Sequence, residues 1–232
     1  MERAWIFSLA VSSFYLAVFT LPSLATMRFT VGPQLISPIL NTALYSTLAT
    51  AIVVPLSLLV SLGSLQDRGR LSTVLMTFPV AIPHTAIGVL LSPLFFRTGL
   101  HDTGLAILSG MLVVCLPISF SVFRSYLSPL VSAGYLEFLV SLRVRGLRLA
   151  LLLLRSSKTA LIIAVLLSWF RAFSELGVFF IIAQRPLTVG IYIYEAFMRA
   201  GFEEVVGASL ILLLVALLVS LALTRLEGRA GD

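Results

Sequence analysis

Arg171 and Glu175 stand four residues apart in SWFRAFSELG (168–177), with Ser174 between them, inside a long apolar run. A second apolar run, FPVAIPHTAIGVLL (78–91), carries His84 and Thr85 directly after Pro83. Opposite charges at i and i+4 share one helix face and can pair. Pairing lowers the cost of holding charge in hydrocarbon, about 2.5–3.5 kcal/mol for a lone charge at the bilayer centre on insertion scales. Two roles fit Arg171 and Glu175. One is a buried ion pair that locks a helix against its neighbours. The other is the lining of a translocation path or gate, where Glu175 would temper the field of Arg171, because conduction needs sites weak enough to release their ion. His84 is open in the same way. It either hydrogen-bonds the carbonyls freed by Pro79 and Pro83 as a packing residue, or it faces a cavity with Thr85. Gly88, one turn on, allows close helix approach.

Other chemistry is not written in the chain. No nucleophile–base pair or paired catalytic carboxylates stand out, and no G-x-x-x-x-G-K-[ST] phosphate loop occurs. The chain is therefore read as a non-enzyme with no cofactor of its own. The single Cys115 lies in an apolar run, with no Cys/His cluster to hold a metal, and reads as a small packing residue.

The elements that must position these residues follow from composition. Of 232 residues 59% are hydrophobic and only 11% charged, and the mean hydropathy is +1.08. So little charge could not cover a water-facing surface, which leaves an integral membrane protein. Six apolar stretches, at about 5–24, 40–64, 72–96, 104–123, 159–183 and 205–224, are each long enough to cross about 30 Å of hydrocarbon as a helix. Pro55, Pro79, Pro83, Pro93 and Pro117 fall inside them, and the third stretch, with three prolines, is expected to bend or break. The first stretch is longer than the apolar core of a signal peptide and is read as a retained helix.

Basic residues set the orientation. With the N-terminus inside, the inner segments hold eleven: Arg3, Arg68, Arg70, Arg124, Arg143, Arg145, Arg148, Arg155, Lys158, Arg225 and Arg229. The outer loops hold four: Arg28, Arg97, Arg185 and Arg199. This bias places both termini in the cytoplasm, and it explains the net charge of +6 without nucleic acid. Within the longest inner segment, GYLEFLVSLRVRGLRLALLLLRSSK (134–158) mixes leucines with arginines. It reads as an amphipathic helix lying on the membrane face or docking into a partner groove, or as a charged loop that only sets topology. The outer stretch 183–204 reads as a re-entrant loop or outer helix.

At this point the sequence resembles a family. FPVAIPHTAIGVLL (78–91) is similar to the proline-rich third helix of ABC transporter permeases for molybdate and tungstate. SWFRAFSELGVFFIIAQRPLTVGIYIYEAF (168–197) is similar to their fifth helix and following outer loop, and NTALYSTLATAIVVPLSL (41–58) to the opening helix of the permease core. The resemblance spans about residues 40–224. It implies an all-α, six-helix permease of the ABC importer fold, one membrane domain over residues 1–232, in the cell membrane. It also implies a second copy of the chain, a cytoplasmic ATPase dimer that holds ATP and Mg, and an extracellular or periplasmic oxyanion-binding protein. Sulfate, thiosulfate and phosphate permeases share the architecture. A membrane scaffold or sensor without flux is the alternative of another class.

The same family carries a cytoplasmic coupling motif, E-A-A-x-x-x-G followed by I-x-L-P, whose short helices sit in a cleft of the ATPase. The resemblance places it at about 134–157, where it is degenerate. Glu137 matches the glutamate, and Ser141 and Leu142 match the residues before the glycine. Arg143 stands in the glycine's place unless Gly146 takes over, and Arg155 or Ser156 replaces the proline. Arg145 and Arg148 complete the expected ATPase-facing set, with anionic lipid as their alternative partner.

Overall fold

The computed structural model describes residues 2–25, 32–65, 69–144, 146–156 and 158–230. Among these residues every regular element is a helix. The helices are α1 (Glu2–Ala25), α2 (Ile36–Ser64), α3 (Arg70–Thr77), α4 (His84–Thr98), α5 (Gly104–Ser132), α6 (Tyr135–Ser141), α7 (Gly146–Ser156), α8 (Lys158–Phe173), α9 (Phe179–Ile182), α10 (Val189–Ala200) and α11 (Phe202–Ala230).

Three spans are long and apolar enough to cross a membrane: Pro33–Ser64, Gly104–Ser132 and Phe202–Arg225. The three-proline stretch is broken, as its prolines predict. Arg70–Ala81 and His84–Thr98 meet at 109°, and if they form one broken span they make a fourth. A 3₁₀ turn, Phe78–Ala81, leads into extended backbone at Ile82 and Pro83, and α4 then starts at His84. Pro93 in α4, Pro55 in α2 and Pro117 in α5 leave their helices continuous. The stretch expected as a single fifth helix over 159–183 is instead interrupted: α8 stops at Phe173, residues 174–178 are irregular, and α9 is one short turn.

The packed centre is α2 against α5, with α8 laid across both. Their meeting faces are small and polar. In α8, Ala160, Ala164, Ser168 and Ala172 recur every fourth residue and are buried. In α2, Thr42, Ser46, Thr50, Ser57, Ser61 and Ser64 are buried. Small residues let helix backbones approach closely where hydrocarbon supplies no hydrophobic drive, and hydroxyls bond across the gap. Ser57 Oγ lies 2.5 Å from Ser119 Oγ of α5, and Ser61 Oγ donates to the Phe120 carbonyl at 3.1 Å. Cys115 is fully buried and its thiol donates to the Ser168 carbonyl at 3.2 Å, which makes it the packing residue its setting predicts. The opposite face of α2 is an exposed ridge of Ile36, Leu40, Leu44, Leu48, Ile52, Leu56 and Leu59, and residues 5–16 of α1 are exposed all round. Faces this apolar belong in lipid or against another membrane helix.

Candidate translocation site

The two breaks meet. Gly177, in the irregular segment after α8, lies against the first turn of α4. A Cβ added there would come within 2.8 Å of His84 Cβ and 3.2 Å of the Thr85 nitrogen. From the α4 side, a Cβ on Gly88 would come within 2.8 Å of the Val178 carbonyl oxygen. Gly88 therefore does allow the close approach expected of it, though the neighbour is an unwound segment rather than a helix face. Irregular backbone at membrane depth has to be buried in protein or face a cavity, and here it does both.

His84, Arg171 and Glu175 come together at this junction. Arg171 occupies the last turn of α8, where a cation is favoured by the helix C-terminus. Its Nη2 donates to Glu175 Oε2 at 2.5 Å and contacts both ring nitrogens of His84, Nδ1 closely and Nε2 at 3.1 Å. His84 Nδ1 lies 3.1 Å from the same carboxylate oxygen. The expected Arg171–Glu175 pair is thus formed, but across the end of a helix rather than along one. The other carboxylate oxygen, Oε1, accepts the Val178 N–H at 2.9 Å and so caps the turn that becomes α9. Glu175 serves the unwound backbone as well as the arginine.

Exposure separates the three. None of the Glu175 side chain is accessible, against 22% for Arg171 and 33% for His84. Arg171 and His84 line a cavity of about 270 Å³ together with Pro79, Val80, Ile87, Val114, Pro117 and Ile118. The three α5 residues, Val114, Pro117 and Ile118, fall near the middle of that helix, so the cavity lies at mid-depth. It offers one guanidinium, one imidazole and apolar walls, with the carboxylate held behind. A tetrahedral anion could be met there by two donors without a full, uncompensated positive charge to trap it.

The other residues expected on the path divide. Ser174 is exposed beside Arg171, with Arg171 Nη1 at 3.5 Å from its Oγ. Thr85 is exposed and is not among the cavity-lining residues. Pro79, Val80, Pro117 and Ile118 went unforeseen as cavity walls; only the prolines carried a signal, as breakers rather than as lining.

The loop before α5 and the loop before α10 form a polar knot that sequence reading also missed. Asp102 Oδ1 accepts the Gln184 N–H at 2.6 Å and the Arg185 N–H at 3.3 Å. Arg185 forks onto Glu195 of α10 at 2.7 and 3.2 Å, and this hydrogen-bonded carboxylate raises its guanidinium pKa above the ordinary arginine value. Thr42 of α2 accepts the Val189 N–H at 2.8 Å and so caps α10 from a distance. The stretch 183–204 is a tied loop followed by α10 and the start of α11.

At the opposite end lie the residues expected to meet an ATPase. Glu137 is exposed in the first turn of α6, and Ser141 and Leu142 are exposed at its end. Arg143 adopts φ 58°, a left-handed conformation that favours glycine. Its N–H bonds the Val140 carbonyl at 2.9 Å, and the Val144 N–H bonds the Leu139 carbonyl at 3.1 Å. That is a Schellman cap, with arginine where glycine is usual. The backbone makes a turn that suits glycine, although an arginine occupies it. Gly146 opens α7 and Arg148 is exposed within it, while Arg145 lies outside the described residues. The structure brings this set together on α6, α7 and the turn between them, but does not join it to the mid-depth cavity.

No family model matches the chain. Three relatives do resemble it over most of its length, all named molybdate/tungstate transport system permease protein WtpB. The relative from Pyrococcus furiosus is 27% identical over 214 residues, covering 90% of this chain and 84% of its own length. That from Pyrococcus abyssi is 24% identical, covering 87% and 82%, and that from Thermococcus kodakarensis 26%, covering 85% and 81%. The resemblance to this permease family holds, and with the apolar helices it makes the chain a multi-pass cell-membrane protein.

Proposed function

We propose that this chain is the membrane permease subunit of an ATP-driven importer for molybdate or tungstate. The observation that carries the reading is the Arg171–His84 pair, backed by Glu175, on a cavity at mid-depth between two broken helices. The relatives' names supply the substrate class. Two copies would associate, each with six spans and cytoplasmic termini. An external binding protein would deliver the oxyanion, and a cytoplasmic ATPase dimer holding ATP and Mg would drive alternation between outward- and inward-open packings. The breaks at 78–83 and 174–178 are natural hinges for that alternation. Ser174 would flank the gate beside Arg171, with Thr85 at its edge. Glu137, Ser141, Leu142, Arg143, Arg145, Gly146 and Arg148 would carry the movement from the ATPase.

The test is uptake into proteoliposomes that contain the chain, its ATPase and its binding protein, with ATP inside the vesicles facing the ATPase. Molybdate or tungstate should accumulate, and Arg171→Gln should abolish accumulation while the protein still inserts. Accumulation of sulfate or phosphate in preference to both would move the protein to a sister permease. No ATP-dependent flux of any oxyanion, with the complex intact, would leave a scaffold or sensor.

A further inference from the structure

We propose a second anion site, at the end of the molecule that carries α6 and α7, which holds a tetrahedral phosphate-type oxyanion between Arg70 and Arg124. A cavity of about 300 Å³ opens there, lined by Ser64, Leu65, Arg70, Arg124, Ser128 and Ser132, with Val131 at its side. Unlike the mid-depth cavity, its lining is mainly polar. Arg124 lies twenty residues along α5 from Gly104, roughly 30 Å at 1.5 Å per residue, which is about one hydrocarbon thickness. The cavity therefore sits at the membrane–water boundary.

Charge pairing singles it out. Arg171, Arg185 and Arg199 each meet a carboxylate, on Glu175, Glu195 and Glu204. Among the described residues Arg70 and Arg124 share one cavity and neither meets a carboxylate. Arg124 is held in place rather than free. Its Nη1 donates to the Ser64 carbonyl at 3.0 Å and to Ser64 Oγ at 2.7 Å, and Ser64 is only 3% exposed. That anchorage uses one amino group and leaves the rest of the guanidinium fork for a ligand. Arg70 is the first residue of α3, so its charge stands at a helix N-terminus, which also favours anions. Two guanidinium groups lining one polar cavity suit a tetrahedral oxyanion, which can take charge-assisted, bidentate hydrogen bonds from the guanidinium fork.

The ligand chemistry has two sources: the headgroup of an anionic phospholipid, or a free tetrahedral oxyanion. The site stands independently of what the mid-depth cavity passes. Full-length protein would be reconstituted in nanodiscs of phosphatidylcholine alone and in nanodiscs containing phosphatidylglycerol, and bound species read by native mass spectrometry. In a parallel arm the phosphatidylcholine sample would be titrated with inorganic phosphate at constant ionic strength, with thermal stability as readout. Wild type should retain phosphatidylglycerol or respond to phosphate, and the arm that responds names the source. Arg70→Gln should weaken that binding about tenfold, the loss of one charge-assisted contact. Arg124→Lys keeps the charge but loses the fork, and should weaken it while preserving the fold. Equal binding by wild type and both variants, or binding in neither arm, would overturn the site.

Discussion

Arg171 and His84, 87 positions apart in the chain, are in direct contact, and a single oxygen of Glu175 touches both. The contact holds the end of α8 to the start of α4. Removing one partner of a buried ion pair is costly, about 3–5 kcal/mol, because it strands the other charge. Glu175→Gln keeps an acceptor for the Val178 N–H but removes the charge. It should lower thermal stability more than Arg171→Gln combined with Glu175→Gln. A double variant as damaged as the two single losses added together would show that the residues do not act as a unit.

Gly177 sets the spacing of the two breaks. Gly177→Ala would place a methyl group 2.8 Å from His84 Cβ, against a side-chain stem that cannot swing away. Overpacking of this kind costs about 1–3 kcal/mol. Melting of the purified protein should drop accordingly, and Arg171 should lose its contact with His84. Unchanged melting would mean that the junction is looser than its geometry.

At the end of α6 the opposite change should help. Arg143 holds φ 58°, at a cost of about 1–2 kcal/mol for an L-residue with a Cβ. Arg143→Gly should raise the melting temperature and Arg143→Val should lower it. If the ranking of the two reverses, the Arg143 side chain is making a contact that outweighs the backbone.

What the sequence disclosed depended on whether a feature had a local cause. The break at 78–83 was legible because Pro79 and Pro83 remove backbone donors within one apolar stretch. The break after Phe173 was not, because hydropathy runs on through 178–183 and the segment is held by tertiary contacts, Glu175 beside His84 and Gly177 against the first turn of α4. The Arg171–Glu175 pair was visible from spacing, whereas the meeting with His84 joins segments that no periodicity connects. Arg143 was visible only as a mismatch to a family pattern, and its left-handed backbone explains why the turn survives the mismatch. Asp102 carried no signal in the sequence, since its bonds to Gln184 and Arg185 are wholly long-range.

The sequence has no phosphate-cradling loop, and the proposed permease reading assigns ATP turnover to a partner. Purified chain alone should show ATP hydrolysis no higher than a mock preparation. Hydrolysis that copurifies with the chain through stringent washing and disappears when the chain is omitted would contradict the permease-subunit reading.

The α6–α7 region is the expected ATPase contact. Glu137, Leu142 and Arg143 are exposed on α6 and the turn after it, and α7 presents Leu151, Leu152 and Arg155 around a shallow cavity. An amphipathic helix of this composition can also lie on anionic lipid. The two partners respond differently to charge reversal. At a docking surface, Arg148→Glu should uncouple the assembled complex, so that the binding protein no longer stimulates ATP hydrolysis although the chain still inserts. On lipid the same change should leave stimulation largely intact and weaken only the affinity for anionic vesicles. Cysteines placed singly at 137–148 provide an independent reading. They should crosslink to the ATPase in the complex, most strongly near Leu142, which stands exposed beside the Schellman turn. If no position there crosslinks while residues at 65–70 do so efficiently, the ATPase sits on the α2–α3 turn, and α6 and α7 belong to the membrane surface.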